Sequence, residues 1–525
     1  MPAGIPDLSL GAWFARRAMR TPDRVALSFG DHAWTYAELQ RRIDRLAVDL
    51  SAGGLRAGDR LGYLAPNHPS YFEALFATAR LGAVFVPLNP RLTGPELSYQ
   101  LRDAGVHTLL CAPRLQPVID GIGRVDGTEL PLRRRLGTEP GGGTWPGYPD
   151  LDVAAEGTGD AAGFTPRPVD PDGVAVIMYT SGSTGRPKGA MLSHANLFWC
   201  NVNNHLGCDY IADEVTLAVL PLFHIGGLNS SALTTFQKGG ELALYPAFEP
   251  GEILRALVGK RVTTMVGVPA MFQAITLLPE FPGADLSSLR FLVAGGAPVP
   301  EPLIRRFLDR GVLFQQGYGM TECSPQVLYM DPGAALAKPG AAGKPGFFTD
   351  VRLIDAAGQD VTEPGVRGEL LVRGPHVTGG YWNNPEATAA AIDPEGWLHT
   401  GDVASADEDG YYWIVDRVKD LVITGGENVY PAEVENVLYD HGGVAEVAVI
   451  GLPDERWGET VVAVVVPRPG ETVSVEELRD FARDRLARFK LPTRVELVSE
   501  LPRTASGKVL KYVLRERLAS QARVG

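Results

Sequence analysis

A chain of 525 residues exceeds one small module at about 100–200 residues per domain, and its 45% hydrophobic and 21% charged content excludes a disordered or fibrous protein. Its 49 Lys and Arg against 62 Asp and Glu give a net charge of −13, which offers no general attraction to nucleic acid or anionic lipid, so any anionic ligand must be held by local groups. No apolar run reaches the roughly 18–20 residues of a membrane span, and Asp7, Arg16 and Arg17 stand where a signal peptide needs its apolar segment, so a cytoplasmic protein is expected.

Thr35-Tyr36-Ala37-Glu38 predicts a capping box, and Leu39, Ile43, Leu46 and Leu50 follow at helical spacing until Gly53-Gly54 stops the helix. Arg60–Leu64 predicts a strand, Tyr71–Leu81 a helix and Ala83–Pro87 another strand, a βαβ rhythm. Residues 137–150, with Gly141-Gly142-Gly143, read as a surface loop. Apolar runs at Val174–Tyr179, Val215–Leu220, Thr263–Gly267 and Leu289–Ala294, separated by helix-length segments, predict buried and largely parallel sheet. From Gly343 to Asp416, short strands and turns rich in Gly and Pro predict a small β subregion. Beyond it, Pro431 suits a first helical turn, Glu446–Gly451 and Val461–Val466 read as strands, and Ser474-Val475-Glu476-Glu477 opens a capped helix through Leu486.

The expected protein is therefore α/β. A large N-terminal domain, residues 1–418, carries parallel-rich sheets flanked by helices and the small β subregion; a small C-terminal α/β domain, residues 419–525, follows. Cys111, Cys200, Cys208 and Cys323 are scattered with no CxxC pair, which excludes a disulfide framework and argues for core or pocket fillers.

Chemistry concentrates in Tyr179-Thr180-Ser181-Gly182-Ser183-Thr184-Gly185-Arg186-Pro187-Lys188-Gly189, directly after an apolar strand. Its glycines, hydroxyls and lysine make a loop of donors suited to phosphate oxygens. It lacks the Walker A spacing, and it is no GxSxG elbow, because Ser181 occupies the first Gly position around Ser183. Alone, the segment also reads as an ordinary Ser/Gly turn.

Five further segments follow in order: Pro221-Leu222-Phe223-His224, Gly317-Tyr318-Gly319-Met320-Thr321-Glu322, residues 396–402 ending in Thr400-Gly401-Asp402, Asp416-Arg417-Val418-Lys419-Asp420, and residues 502–508 ending in Ser506-Gly507-Lys508. With them the chain resembles the adenylate-forming superfamily of acyl-CoA synthetases, nonribosomal-peptide adenylation domains and firefly luciferase, and is most similar to fatty-acid or aryl acid–CoA ligases, from about Thr21 to Leu518. The resemblance implies an acid–thiol ligase. A carboxylate takes AMP from ATP to give acyl-AMP and pyrophosphate, and CoA then displaces AMP. By the same resemblance Thr180, Ser181, Gly182, Ser183, Thr184, Gly185 and Lys188 hold the phosphates, Tyr318 stacks on adenine, and Gly296, Ala297, Gln316, Gly317 and Gly319 complete the nucleotide site. Thr321 meets the α-phosphate, Glu322 holds Mg²⁺, Asp402 takes the ribose hydroxyls, and Arg417 reaches the ribose or phosphate. Lys508 enters during adenylation, and Lys419 is the hinge of a mobile C-terminal domain whose rotation brings Gly425 and Gly426 to the pantetheine arm. His224 gates the acyl carboxylate. Taken singly, each has a plainer reading: Asp402 as a turn residue, Tyr318 as core, Glu322 as a helix cap, Lys419 and Lys508 as solvated charges, and His224 as a core histidine.

His224 stands where amino-acid-activating relatives carry Asp, which argues against an α-amino acid. The segments expected to line the acyl pocket (199–205, 224–231, 293–300 and 317–328) contain no Lys or Arg, so a second carboxylate would be buried without a partner. Gly226, Gly227, Gly295, Gly296 and Ala297 leave volume, while Asn201, Asn203, Asn204, His205, Asn229 and Gln326 stand against a purely aliphatic pocket. The expected partners are the acid, ATP and CoA, with no nucleic acid and no membrane span, and a homodimer stays open. The alternative is a stand-alone adenylating enzyme that passes its acid to a carrier protein or an amine, or activates an unusual oxyacid.

Overall fold

Apolar runs too continuous for a half-exposed strand become the middle of two sheets in the computed structural model, which describes residues 7–125, 133–136, 166, 168–180, 187–296, 299–417, 420–424, 427–454, 456–503 and 509–522. In the nine-stranded sheet, Leu313–Gly319, Phe291–Gly295, Thr264–Gly267, Val215–Ala218, Glu241–Leu244 and Val25–Phe29 are neighbours in that order and all parallel. Antiparallel strands close it, Gln326–Tyr329 and Lys344–Pro345 at one edge and His32–Thr35 at the other. The six-stranded sheet runs Arg133–Leu136, Val106–Cys111, Arg60–Leu64, Val84–Pro87, Val174–Thr180, Lys188–Ser193, and only the last pairing is antiparallel.

One apolar core joins both sheets through the helices Leu10–Arg20, Tyr36–Ala52 and Ser70–Arg80. The predicted capping box opens the second of these: the Thr35 amide donates to Glu38 Oε2 at 2.8 Å and the Glu38 amide to Thr35 Oγ1 at 3.2 Å. Ser70–Arg80 is buried on every side. Its inward charges are paired, Glu73 with Arg42 at 2.7 Å and Arg80 with Asp44 at 2.6 Å, as buried charge requires. The Phe236 ring, fully enclosed, lies 5.0–6.4 Å from the rings of Phe14, Tyr36, Phe72 and Phe76.

The chain forms two compact units, Met1–Val351 with Val372–Leu398, and Arg352–Leu371 with His399–Gly525. This division differs from the expected 418/419 boundary: most of the four-stranded sheet (Asp350–Ile354, Arg367–Arg373, Leu398–Ala406, Tyr412–Arg417) groups with the C-terminal part. Contacts within the second unit account for this. Asp416 Oδ2 accepts the Ala432 amide at 2.8 Å, and the Arg367 guanidinium lies 4.3 Å from the Tyr430 ring centroid and 3.5 Å from Glu433. The rest of that unit is a five-stranded sheet, with Glu427–Val429, Val422–Thr424, Gly458–Pro467 and Val444–Asp454 in order and Arg494–Leu497 on Gly458–Pro467, packed with helices Pro431–Tyr439, Val475–Ala482 and Lys511–Ala522. The Ser474 box forms, but its helix ends at Ala482; Leu486 then turns back, its amide on the Ala482 carbonyl, and buries in the same core. The expected loop at 137–150 lies outside the described residues. No described helix is long and apolar enough to cross a membrane.

His194 and His376 are enclosed in the first unit and His205 is half-buried there, and burial holds each imidazole to about 4. A histidine depressed when folded and near 6.5 when unfolded makes the unfolded state the stronger proton binder, so its stabilising contribution is full above pH 6.5 and is lost as pH falls towards 4. The unfolding midpoint should therefore drop across that window, and His376→Asn should make the drop shallower. An unchanged slope in that variant would contradict the burial argument.

Candidate active site

In open α/β sheets, ligands gather at the carboxyl ends of parallel strands. Three predicted segments leave the nine-stranded sheet at that edge: His224 after Val215–Ala218, Gly296 after Phe291–Gly295, and Tyr318 to Glu322 at the end of Leu313–Gly319. Gly295 and Gly317 sit opposite each other on neighbouring strands. The six-stranded sheet ends Val174–Thr180 in the same sense, with Thr180 paired to Lys188 and its Oγ1 3.4 Å from the Lys188 carbonyl.

Two glycines shape the hairpin after Leu313–Gly319 by close approach. A Cβ at Gly317 would stand 2.0 Å from Gln326 Nε2, and one at Gly319 1.9 Å from the Pro325 carbonyl oxygen. The Met320 amide bonds that same oxygen at 2.9 Å, and the chain then enters the short turn Thr321–Cys323, left by Ser324 at φ 66°. Asn229 Nδ2 donates to the Ser324 carbonyl. Gln316 Nε2 is buried with no partner among the described residues, and Tyr318 and Thr321 are half-buried.

Glu322 is only 6% exposed. Its Oε1 accepts the Tyr381 hydroxyl at 2.8 Å, its backbone carbonyl accepts the Thr378 amide at 2.7 Å, and Lys188 Nζ lies 5.2 Å from the Tyr381 ring centroid. Residues 378–382 reach this point by pairing with Lys188–Ser193: the Met191 amide donates to the Gly380 carbonyl at 3.0 Å and the Trp382 amide to the Gly189 carbonyl at 2.8 Å. Burial, and then the Glu322 charge, raises the Tyr381 phenol far above its ordinary value, so it stays protonated and donates. No cluster of three or more metal-ligating side chains occurs among the described residues. What Tyr381 brings together is one buried carboxylate and one ammonium, a pair suited to a phosphate-bound hard cation and to phosphate itself.

His224 caps the short helix Ile225–Gly227; its amide bonds Pro221 and its carbonyl accepts the Gly227 and Leu228 amides. A Cβ at Gly226 meets nothing within 4 Å, and one at Gly296 (φ 81°) meets only Val268 at 3.9 Å. Gly227 is different. Its Cβ would stand 2.3 Å from the Pro221 carbonyl oxygen, so it makes a tight turn rather than pocket volume. Several polar residues expected around the acyl group have intramolecular bonds instead: Asn201 Oδ1 accepts Thr234, Asn203 spans Thr349 and the Phe348 amide, Asn204 bonds Thr234, Asn229 and Tyr329, and His205 bonds Gln237.

In the second unit Asp402, 3% exposed, faces Arg417 across paired strands, with Arg417 Nε 2.7 Å from Oδ1. Its amide bonds Thr400 Oγ1, which donates to the Leu370 carbonyl at 2.6 Å. Asp416 accepts the Arg417 amide at 2.7 Å, and burial raises its carboxyl. Ser181, Gly182, Ser183, Thr184, Gly185, Ala297, Lys419, Gly425, Gly426 and Lys508 lie outside the described residues. Tyr381 was missed by sequence reasoning; the adjacent Gly380, where a Cβ would stand 2.4 Å from Thr388 Cγ2, is a local signal of close approach there.

The family described as AMP-binding enzyme matches residues 14–382, and the one described as AMP-binding enzyme C-terminal domain matches 433–508. The chain is 49% identical to a feruloyl-CoA synthase of Amycolatopsis sp over 508 residues, 97% of this chain and 99% of that protein. It is 41% identical to an indoleacetate–CoA ligase of Aromatoleum aromaticum, with 98% of each covered. Among solved structures, that of the anthranilate CoA ligase AuaEII in complex with anthranoyl-AMP superposes with a TM-score of 0.88 at 26% identity, covering 99% of both chains.

The neighbouring glycines give a contrast to measure. Gly226→Ala should be accommodated, whereas Gly227→Ala must displace backbone and should lower stability by about 1–3 kcal/mol in urea unfolding. Equal midpoints for the two variants would contradict the packing described.

Proposed function

Because the chain belongs to the AMP-binding enzyme family and is an ATP-dependent acid–CoA ligase, we propose that its acid is an aryl monocarboxylic acid, with a hydroxycinnamate such as ferulate as first candidate. An ionised carboxylate is a poor electrophile at pH 7. Its attack on the α-phosphorus of ATP expels pyrophosphate and gives acyl-AMP; the CoA thiol then attacks the acyl carbon, and AMP leaves.

The observation that carries the assignment of the phosphate end is the grouping of Lys188, Tyr381 and Glu322 beside the Gly317–Thr321 segment. In this reading Thr180, the 181–185 loop and Lys188 hold the β and γ phosphates, Thr321 meets the α-phosphate, and Tyr318 lies on adenine, with Gly296, Ala297, Gln316, Gly317 and Gly319 around it. The unpartnered Gln316 amide is a donor for which a nucleotide supplies the acceptor. Asp402 accepts the ribose hydroxyls while Arg417 stays on its Oδ1. Glu322 would hold Mg²⁺, whose chemistry when bound is to neutralise phosphate charge and ease departure of pyrophosphate. His224 orients the acyl carboxylate. Lys508 compensates charge in adenylation, and rotation at Lys419 exchanges it for Gly425 and Gly426 in the thioester step. A cytoplasmic location belongs to the same reading.

Support for an aryl acid comes from the open space at Gly226 and Gly296 and from acyl-side segments without Lys or Arg. Fatty acids of similar length should also react, because apolar pockets discriminate weakly, by roughly 1–3 kcal/mol per methylene.

The test is acid-dependent pyrophosphate release across an acid panel, with the thioester detected by mass spectrometry. Ferulate and related aryl monocarboxylates should lead, dicarboxylates of equal length should be poor, and AMP should appear one-to-one with thioester. Lys508→Ala should depress adenylation yet spare CoA attack on supplied acyl-AMP. Faster turnover of a dicarboxylate would overturn the pocket reading, and equal loss in both half-reactions would overturn domain alternation.

A further inference from the structure

Glu322 and Lys188 are 134 positions apart in sequence, and Tyr381 touches both. The phenol hydroxyl occupies Oε1 of the carboxylate; among the described residues no bond is made to Oε2. The ring face meets the ammonium of Lys188 at a distance that favours a cation over an aromatic quadrupole.

The backbone that carries Tyr381 is fixed independently of its hydroxyl. Its own amide donates to Thr388 Oγ1 at 2.9 Å, Thr378 Oγ1 bonds the Met191 carbonyl at 2.5 Å, and the residues on either side pair with the 188–193 strand. Gly380 permits this course: at φ 134° a Cβ there would stand 2.4 Å from Thr388 Cγ2. The side chain is thus held against two groups of opposite charge, the Glu322 carboxylate and the Lys188 ammonium.

We propose that Tyr381 is a positioning residue for nucleotide and cation together: its hydroxyl orients Glu322 so that Oε2 is presented to the cation, and its ring sets the place of the Lys188 ammonium at the phosphates. This rests on the assignment of Glu322 and Lys188 to the phosphate end. One side chain then ties the cation's carboxylate to the phosphate's lysine, and their separation is set by a rigid ring rather than by two flexible stems. The hydroxyl and the ring serve separable functions, so different substitutions should show different losses.

The direct probe is Mn²⁺ binding followed by electron paramagnetic resonance, with α,β-methylene-ATP present and no acid. Tyr381→Phe keeps the ring and the anchored backbone, and should weaken Mn²⁺ binding about tenfold or more, the usual effect of losing a hydrogen bond to a charged group. The Mg²⁺ needed for half-maximal pyrophosphate release should rise in parallel, while the thermal midpoint and CoA attack on supplied acyl-AMP stay near wild type. Tyr381→Leu should add a higher KM for ATP, because the seat of Lys188 is lost. On a Glu322→Gln background, Tyr381→Phe should cause no further loss of Mn²⁺ affinity. Wild-type Mn²⁺ affinity and Mg²⁺ dependence in Tyr381→Phe, or full additivity with Glu322→Gln, would overturn the proposal. Absence of acid-dependent pyrophosphate release from the unaltered enzyme would instead overturn the underlying reading.

Discussion

A carboxylate leaves water only if something replaces its hydration, and Glu322 is 6% exposed. The Tyr381 hydroxyl on Oε1 meets part of that demand, and the need to bring a donor there organises much around it. Residues 378–382 lie on the strand Lys188–Ser193, the hairpin after Leu313–Gly319 turns tightly, and glycine is required at 319, where a side chain would strike the Pro325 carbonyl. The buried acid is consequently joined to both large sheets. Glu322 follows the carboxyl end of a parallel strand, and residues 378–382 reach it by pairing with the antiparallel strand Lys188–Ser193.

Behind that edge lies a polar layer with a different task. Asn201, Asn204, Asn229, Thr234 and Tyr329 bond one another across the helix His194–Gly207, the 228–232 turn and the strand Gln326–Tyr329. Buried amides bonded in this way fix side-chain orientation and give the hairpin one position. Asn229 extends the layer to the Ser324 carbonyl and so to the turn that carries Glu322. Under the proposed function, acid selectivity falls to shape, at Gly226 and Gly296, and to acyl-side segments whose sequence holds no Lys or Arg.

Local signals were legible where local physics decides. Thr35 with Glu38 and Ser474 with Glu477 form the capping boxes their spacing announces, and the apolar runs near 217, 265 and 292 are central parallel strands, that near 176 parallel on one side and antiparallel on the other. Long-range pairing was not legible: nothing near Tyr381 states that Glu322, 59 residues earlier, is its partner. The asparagines of the 194–207 helix look like pocket lining from composition alone, and only the fold shows their amides turned to Thr234, Thr349 and Tyr329. Gly226 and Gly227 are indistinguishable in sequence, yet one faces open space and the other packs on Pro221. The grouping of most of the four-stranded sheet with the C-terminal part rests on tertiary contacts, the Asp416 bond to Ala432 and the Arg367 contact with Tyr430, which no local pattern announces.

The most direct measurement is a crystal structure with Mn²⁺ and a non-hydrolysable ATP, recorded at the manganese absorption edge. The account predicts an anomalous peak at coordination distance from Glu322 Oε2, with Oε1 still bonded to Tyr381, and the β and γ phosphates within reach of Lys188. A peak away from Glu322, or phosphates bound with neither Lys188 nor Glu322 in contact, would contradict it.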